Sequence, residues 1–287
     1  MITLIMTSVF RSRHVVAFDA SGVAGATLTR SLSGWRVRAL AQVPLGEGAL
    51  SPSPFERNVA RSADVRTALR EVAQTLDLDR TPVCLVLPDG VARIVSIDLP
   101  GEVTAAAYAR YRLAPTLPYP ADEAMVEVMP IGPRRVLAAA ARRAVLHEYE
   151  EVAAEAGLVQ QRVDLAPLAA LAALGERRAE ASVVDLVLGD AAFSMAARDE
   201  RGVAVFRNRR RDRGPGEPSR LRDEADRTAA LAGQRQAARL RVVGAGAGSI
   251  LRELALCGVA ADAGWRLPGE SLPAQGLEMA WLGAALG

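Results

Sequence analysis

One pattern of three short apolar segments occurs twice in this chain, once near the beginning and once in the second half. The first copy covers about 14–40 and its opening segment ends at Asp19, whereas the second covers about 182–207 and its opening segment reaches Asp185. Apolar segments of this length, separated by small and polar residues, are typical of strands joined by tight turns. The repetition therefore predicts two related lobes, each built on a sheet.

Helical periodicity follows each three-strand unit and places the chain in the α/β class. Helices are predicted at about 62–77, 102–114, 143–156, 166–174, 219–236, 249–257 and 274–286. Further strands are predicted at 83–87, 91–99, 123–131, 135–141, 161–164 and 240–243. The block at about 55–150 adds strands between elements of the first lobe, so we predict an inserted α/β subdomain there. The expected domains are a first lobe at 12–174, which contains this insert, and a second lobe at 182–287.

The composition excludes several classes of function. Hydrophobic residues make up 50% of the chain and the formal net charge is +2, which favours a folded core and argues against a general attraction to nucleic acid. The basic run at 207–213 is diluted by nearby acidic residues, so we expect a solvated loop there. With two cysteines and two widely separated histidines, the chain has almost no ligands for a zinc site. It contains no lysine, so no lysine can bind phosphate. No apolar run approaches the ~18 residues that span a bilayer.

Two aspartate-bearing turns and one glycine-rich turn are the candidate ligand-binding elements. Tight turns direct backbone N–H groups at a phosphate, carboxylates hold Mg²⁺ through water, and glycine lets a purine approach the backbone closely. In actin-like nucleotide-binding folds, turns in this order converge on one cleft. Asp19 and Asp185 are the predicted water-mediated Mg²⁺ ligands, although each turn taken alone also fits a structural turn. The predicted cofactor-binding residues are Asp19, Ser21, Gly22, Asp185, Gly189, Asp190, Gly244, Gly246 and Ser249.

Segments distributed over nearly the whole chain resemble the PilM family of type IV pilus assembly proteins, which are actin-like relatives of the division protein FtsA and of the GspL cytoplasmic domain. The resemblance is most specific over 91–170. It implies a two-lobed actin-like fold, a duplication of a ribonuclease H-like unit, with an inserted α/β subdomain in the first lobe. The segments are 14–21, 91–100, 111–128, 136–169, 242–248 and 276–286.

The two aspartate-bearing turns depart from the family's pattern. The family's first turn usually reads Asp-Ile-Gly-Ser-Ser-Ser-Val-Lys, whereas here Ser21 replaces the glycine and Ala26 replaces the lysine. The second turn usually reads Asp-Ile-Gly, whereas here Asp185 is followed by a leucine and Val187, and a later Gly-Asp pair offers a turn in a shifted register. The resemblance implies ATP and Mg²⁺ as cofactors, and these departures predict that their binding is weakened or lost.

The resemblance implies a cytoplasmic scaffold of the pilus assembly platform at the inner membrane. In the family, the inserted subdomain and the first lobe hold the short cytoplasmic tail of the membrane protein PilN, and separate motor ATPases power pilus extension. We therefore expect a PilN-like partner, contacts with other platform proteins, and a membrane location only through the partner. Catalysis is not expected, and oligomer formation is left open. Two alternatives remain: a small-molecule kinase of the same fold, and a GspL- or FtsA-like secretion or division scaffold.

Overall fold

A computed structural model gives the fold of the protein. It describes residues 13–31, 34–174, 183–199, 202–235, 237, 239–256 and 259–262. The predicted helix at 274–286 and the resemblance over 276–286 lie outside the described residues. Among the helices that are described, none is long and apolar enough to cross a membrane.

The strands and helices follow the predicted order. The strands are β1 (Arg13–Asp19), β2 (Gly22–Ser31), β3 (Gly34–Pro44), β4 (Pro82–Leu87), β5 (Ala92–Asp98), β6 (Ala124–Gly132), β7 (Arg135–Arg142), β8 (Val159–Leu165), β9 (Val183–Leu188), β10 (Ala192–Asp199), β11 (Gly202–Arg210), β12 (Arg239–Gly244) and β13 (Ala261–Asp262). The helices are α1 (Ser62–Thr75), α2 (Ala105–Leu113), α3 (Arg143–Glu155), α4 (Ala166–Leu174), α5 (Glu217–Leu231) and α6 (Ala247–Leu256). Helix α5 ends earlier than predicted because Gly233, at φ +79°, lies just beyond its last turn.

Two five-stranded sheets have the same strand order, and this equivalence confirms the duplicated unit. The first sheet runs β3-β2-β1-β4-β8 and the second runs β11-β10-β9-β12-β13. In each sheet the first strand of the unit pairs antiparallel with the second strand and parallel with a strand from later in the lobe, β4 or β12. β1 and β4 are parallel, as are β9 and β12. The carboxyl ends of the two strands in each pair therefore lie side by side, at the same end of the sheet.

Alternation along β1 divides the core of the first lobe into two layers. Val16 and Phe18 face a cluster that includes α1 and α3, where the Phe18 and Tyr149 rings meet edge to face at 5.1 Å. Val15 and Ala17 face the opposite cluster, which contains α4 and also residues of β9 and β12. Side chains of a strand alternate between the two faces of its sheet, so one face of the first sheet is buried between the lobes. Helix α4 is apolar because both sheets cover it. Helices α5 and α6 cover the other face of the second sheet.

A separate three-stranded sheet, β5-β7-β6, forms the insert within the first lobe. Helix α2 covers one of its faces, where Ile97 is buried with Ala109 and Leu113. The other face contacts β11 of the second lobe, and the Arg135 guanidinium donates a hydrogen bond of 2.7 Å to the Ala204 carbonyl. Within the predicted block at 55–150, β4 pairs into the first five-stranded sheet and α1 packs against that sheet. The bounds of the insert and the lobe boundaries themselves remain predictions.

Candidate functional site

A cavity of about 350 Å³ lies where the strand ends of the two sheets meet. The ends of β1 and β4 provide one wall, and the ends of β9 and β12 provide the other. Helix α4 closes the space between them through Ala166 and Ala170. The volume falls within the range of small-molecule and cofactor sites, roughly 300–1,000 Å³. The fold thus forms a cleft at the place where the duplicated strands end.

The cavity brings together most of the residues predicted from the turns. All of the predicted cofactor-binding residues except Asp185 and Ser249 line it. Ser249 lies in the first turn of α6, where its hydroxyl is 3.4 Å from Glu253 Oε1. The residues that converge are Asp19, Ser21, Gly22, Gly189, Asp190, Gly244 and Gly246. Whether these residues bind a nucleotide stays a prediction.

Asp185, the predicted Mg²⁺ ligand of the second lobe, does not line the cavity. It lies inside β9 rather than at the end of the strand, on the same face as Val187, and its side chain is fully buried. Its Oδ2 accepts a hydrogen bond of 2.8 Å from Arg198, and its Oδ1 accepts one of 2.5 Å from Arg241 on the neighbouring strand β12. Two arginines therefore neutralise Asp185, which has a structural role in the second lobe.

The aspartate that enters the cavity from the second lobe is Asp190. It shares a hydrogen bond with Asp19 of the first lobe. Burial, followed by the hydrogen bond to Asp190 and its charge, raises the pKa of Asp19 to about 8. Burial alone would also raise the pKa of Asp190, but the hydrogen bond from Asp19 and the charge of Arg213 outweigh it and hold that pKa below its ordinary value. At neutral pH the two carboxyl groups therefore share one proton through the hydrogen bond between them.

Asp89 is a third acidic residue of the cavity, and it was not among the residues predicted from the sequence. It follows β4 and is 5% exposed, and its Oδ2 has no hydrogen-bond partner among the described residues. Burial, with a smaller contribution from the charge of Asp190, raises its pKa to about 7. The segment Pro88-Asp89-Gly90 looked only like a turn. The available signal was the parallel pairing of β4 with β1, which brings Asp89 to the same edge as Asp19.

Two arginines approach the cavity from the segment after β11. One is held by several hydrogen bonds, and the other is half exposed. Arg211 is buried and donates hydrogen bonds of 2.7 Å to the carbonyls of Gly189 and Ala245, and its Nε donates to Glu217 at 2.6 Å. It thereby fixes the turn after β9 to the turn after β12. Arg213 lines the cavity, pairs with Asp190, and keeps about half of its side chain exposed.

The glycine turn begins at Gly244, the last residue of β12, which lies beside the end of β9. Gly244 has φ +99°, and a Cβ atom there would lie 2.1 Å from the Leu188 carbonyl oxygen. The next amide, that of Ala245, donates a hydrogen bond of 2.7 Å to the same oxygen. Glycine is therefore required at 244 by the close approach of two backbone segments.

The cavity fits a nucleotide with Mg²⁺ in size and in its carboxylates, and three backbone amides of its turns already have acceptors within the protein. Asp19 and Asp190 come from different lobes and could hold a hydrated Mg²⁺ in place of the proton that they share, since this ion binds through carboxylates and water. The amides of Ala20, Gly189 and Ala245, however, already donate to Asp19, to the Ala192 carbonyl and to the Leu188 carbonyl.

No protein-family model and no curated protein sequence matches the chain. Among solved structures it is similar to the PilM-PilN type IV pilus biogenesis complex, with 20% identity, a TM-score of 0.75, and coverage of 96% of this chain and 97% of that one. It is also similar to the cytoplasmic domain of EpsL, an inner-membrane component of the type II secretion system of Vibrio cholerae (14% identity, TM-score 0.57, 96% and 95% coverage).

A third similar structure is a Bacteroides thetaiotaomicron protein of unknown function with an actin-like ATPase fold. Its identity is 10% and its TM-score is 0.55, with coverage of 87% of this chain and 89% of that one. Together these similarities show that the protein has a two-lobed actin-like fold, and they confirm the predicted structural resemblance to PilM. At these identities they establish the fold alone.

Proposed function

We propose that the protein is an actin-like scaffold of a type IV pilus or related secretion platform, and that it binds the cytoplasmic segment of a PilN-like membrane protein. The observation that carries this proposal is the similarity to the PilM-PilN complex over 96% of this chain and 97% of that chain. Because coverage is nearly complete on both sides, the similarity includes the insert as well as both lobes. On this proposal the protein is cytoplasmic and reaches the inner membrane through its partner.

The insert offers exposed apolar side chains for such a partner. Tyr111 on α2 is 75% exposed, and its ring centroid is 6.4 Å from that of Tyr108. Val103 before α2 and Met129 on β6 are also exposed. Large aromatic side chains often anchor bound peptides because they bury much area at a small entropic cost. We therefore place the peptide contact on the insert, with Tyr111 as an anchor.

The cleft supports a scaffold better than a kinase. A kinase needs turns that fit the transferred phosphoryl group, whereas the two aspartate-bearing turns of this chain depart from the family's pattern at Ser21 and Val187. On our proposal a nucleotide in the cleft would bias the arrangement of the lobes and the affinity for the partner, which is a coupling between two sites. Turnover is not required for that role.

The proposal is tested by fluorescence anisotropy with a labelled peptide. The peptide is the cytoplasmic segment of the PilN-like protein encoded in the same genome. We expect saturable binding, a loss of about 1–3 kcal/mol of binding free energy in Tyr111→Ala, and no loss in Leu231→Ala. Leu231 is the matched control because it is 65% exposed on α5 of the second lobe. The absence of binding by the unmodified protein, or equal weakening by both variants, would contradict the proposal.

A further inference from the structure

Arg213 is the one basic side chain among the described residues that line the cavity. The other charged groups of the lining are Asp19, Asp89 and Asp190. The chain contains no lysine. A basic side chain that contacts a phosphate group in the cleft would therefore be an arginine. Arg211, the nearby alternative, is buried and engaged with two carbonyls and Glu217.

We propose that Arg213 is the phosphate-contacting cation of this cleft, and that it exchanges Asp190 for the polyphosphate of a nucleotide. This inference rests on the part of the proposed function that gives the cleft a nucleotide. In the family's first turn the positive charge belongs to a lysine, and this chain has Ala26 at that position. The proposal assigns the positive charge to Arg213 of the second lobe instead.

The backbone around Arg213 holds the base of its side chain and leaves the tip free to move. Arg211, two residues earlier, is anchored by three hydrogen bonds. Gly214 and Gly216 follow, and both have positive φ. The side chain of Arg213 is 50% exposed and its described partner is Asp190. The guanidinium can therefore reorient within the cavity without disturbing the turns that Arg211 holds together.

The exchange of partners is energetically reasonable. Water and salt screen the half-exposed Arg213 end of this ion pair, whereas the Asp190 side chain is 19% exposed. A guanidinium binds phosphate through two parallel hydrogen bonds, which matches phosphate geometry better than a single contact does. Asp190, once released, keeps its hydrogen bonds with Asp19 and Ser21. The departure of Arg213 therefore does not leave a buried carboxylate without a donor.

Calorimetric titration with Mg-ATP and, separately, with adenosine tests this assignment. We expect Arg213→Ala to weaken Mg-ATP binding at least tenfold and to leave adenosine binding unchanged, because the lost contact is to phosphate. Arg213→Lys should recover part of the affinity. Arg210→Ala is the matched control: it removes the same charge three residues away, outside the cavity lining, and should bind Mg-ATP like the unmodified protein.

Two outcomes would overturn the assignment. If Arg213→Ala binds Mg-ATP as tightly as the unmodified protein or more tightly, Arg213 acts only as the internal partner of Asp190. If the unmodified protein does not bind Mg-ATP, the cleft has no polyphosphate for Arg213 to contact. In either case the peptide assay described above still reports on the scaffold function, so the two proposals fail separately. Thermal unfolding of each variant verifies that it is folded.

Discussion

Replacing Asp89 by asparagine should make the protein's stability less sensitive to pH. Asp89 is buried, its Oδ2 lacks a described partner, and its pKa rises from an ordinary value of 3.8 to about 7 in the folded protein. In the unfolded chain this carboxyl ionises near pH 4. Between pH 4 and pH 7 folding must therefore return a proton to it, and the stability associated with the protonated group is lost progressively as the pH rises through that window.

The magnitude follows from the two pKa values. Each tenfold change in proton affinity corresponds to ~1.4 kcal/mol, so the full cost of Asp89 above pH 7 is about 4 kcal/mol. At pH 5 the same relation gives about 1.5 kcal/mol. Asparagine has nearly the same shape and does not titrate. Relative to the unmodified protein, Asp89→Asn should therefore gain about 2.5 kcal/mol more at pH 8 than at pH 5.

Urea denaturation followed by circular dichroism at the two pH values measures this difference. The informative quantity is the difference between the stability changes at pH 5 and pH 8. The asparagine amide is itself a buried polar group, and its own effect on stability is the same at the two pH values. Asp79→Asn, in an exposed turn before β4, controls for the loss of one negative charge and should show no comparable difference. An equal effect of Asp89→Asn at pH 5 and pH 8, or a larger loss of stability at pH 8, would refute the reasoning.

Three further substitutions test the structural roles assigned above. Asp185→Asn should reduce the free energy of unfolding by about 3–5 kcal/mol, measured by urea denaturation, because it removes the charge that two arginines share; a loss smaller than about 1 kcal/mol would contradict the buried ion-pair assignment. Gly244→Ala should cost at least about 2 kcal/mol of stability through backbone strain and the contact with the facing carbonyl, whereas Gly248→Ala, in α6, should be neutral or slightly stabilising. Arg135→Ala should accelerate amide hydrogen exchange in β11, and Arg134→Ala, which removes a contact within the insert, should not.

The fold was largely predictable because its strands are strongly patterned. The apolar runs of β1 and β9 are local signals, and the glycines at 244 and 246 indicate a turn whatever its partner is. Which sheet β4 joins was not predictable from such signals, because its pairing with β1 and β8 decides this. Hydrogen bonds between distant strands, and not local preference, decide that membership.

The candidate site was predictable only where a turn carried its own signal. Asp19 ends a strand, and it lies in the cavity. Asp185 looked equivalent, but strand pairing continues to Leu188, which leaves Asp185 inside the sheet beside Arg241 from 56 residues later in the chain. Asp89 had no motif of its own. Its environment comes from Gly189, whose missing side chain leaves room for the Asp89 carboxylate of the opposite lobe.

The contact between the insert and β11 has a mechanical consequence. The insert belongs to the first lobe by sequence, yet Ile94 and Leu137 share a buried cluster with Val203 and Phe206 of the second lobe. A pull applied to the insert would be transmitted along two routes, through its connections to the first sheet and through this lateral contact. On the proposed function, tension from a membrane-anchored partner would thus be distributed over both halves of the molecule.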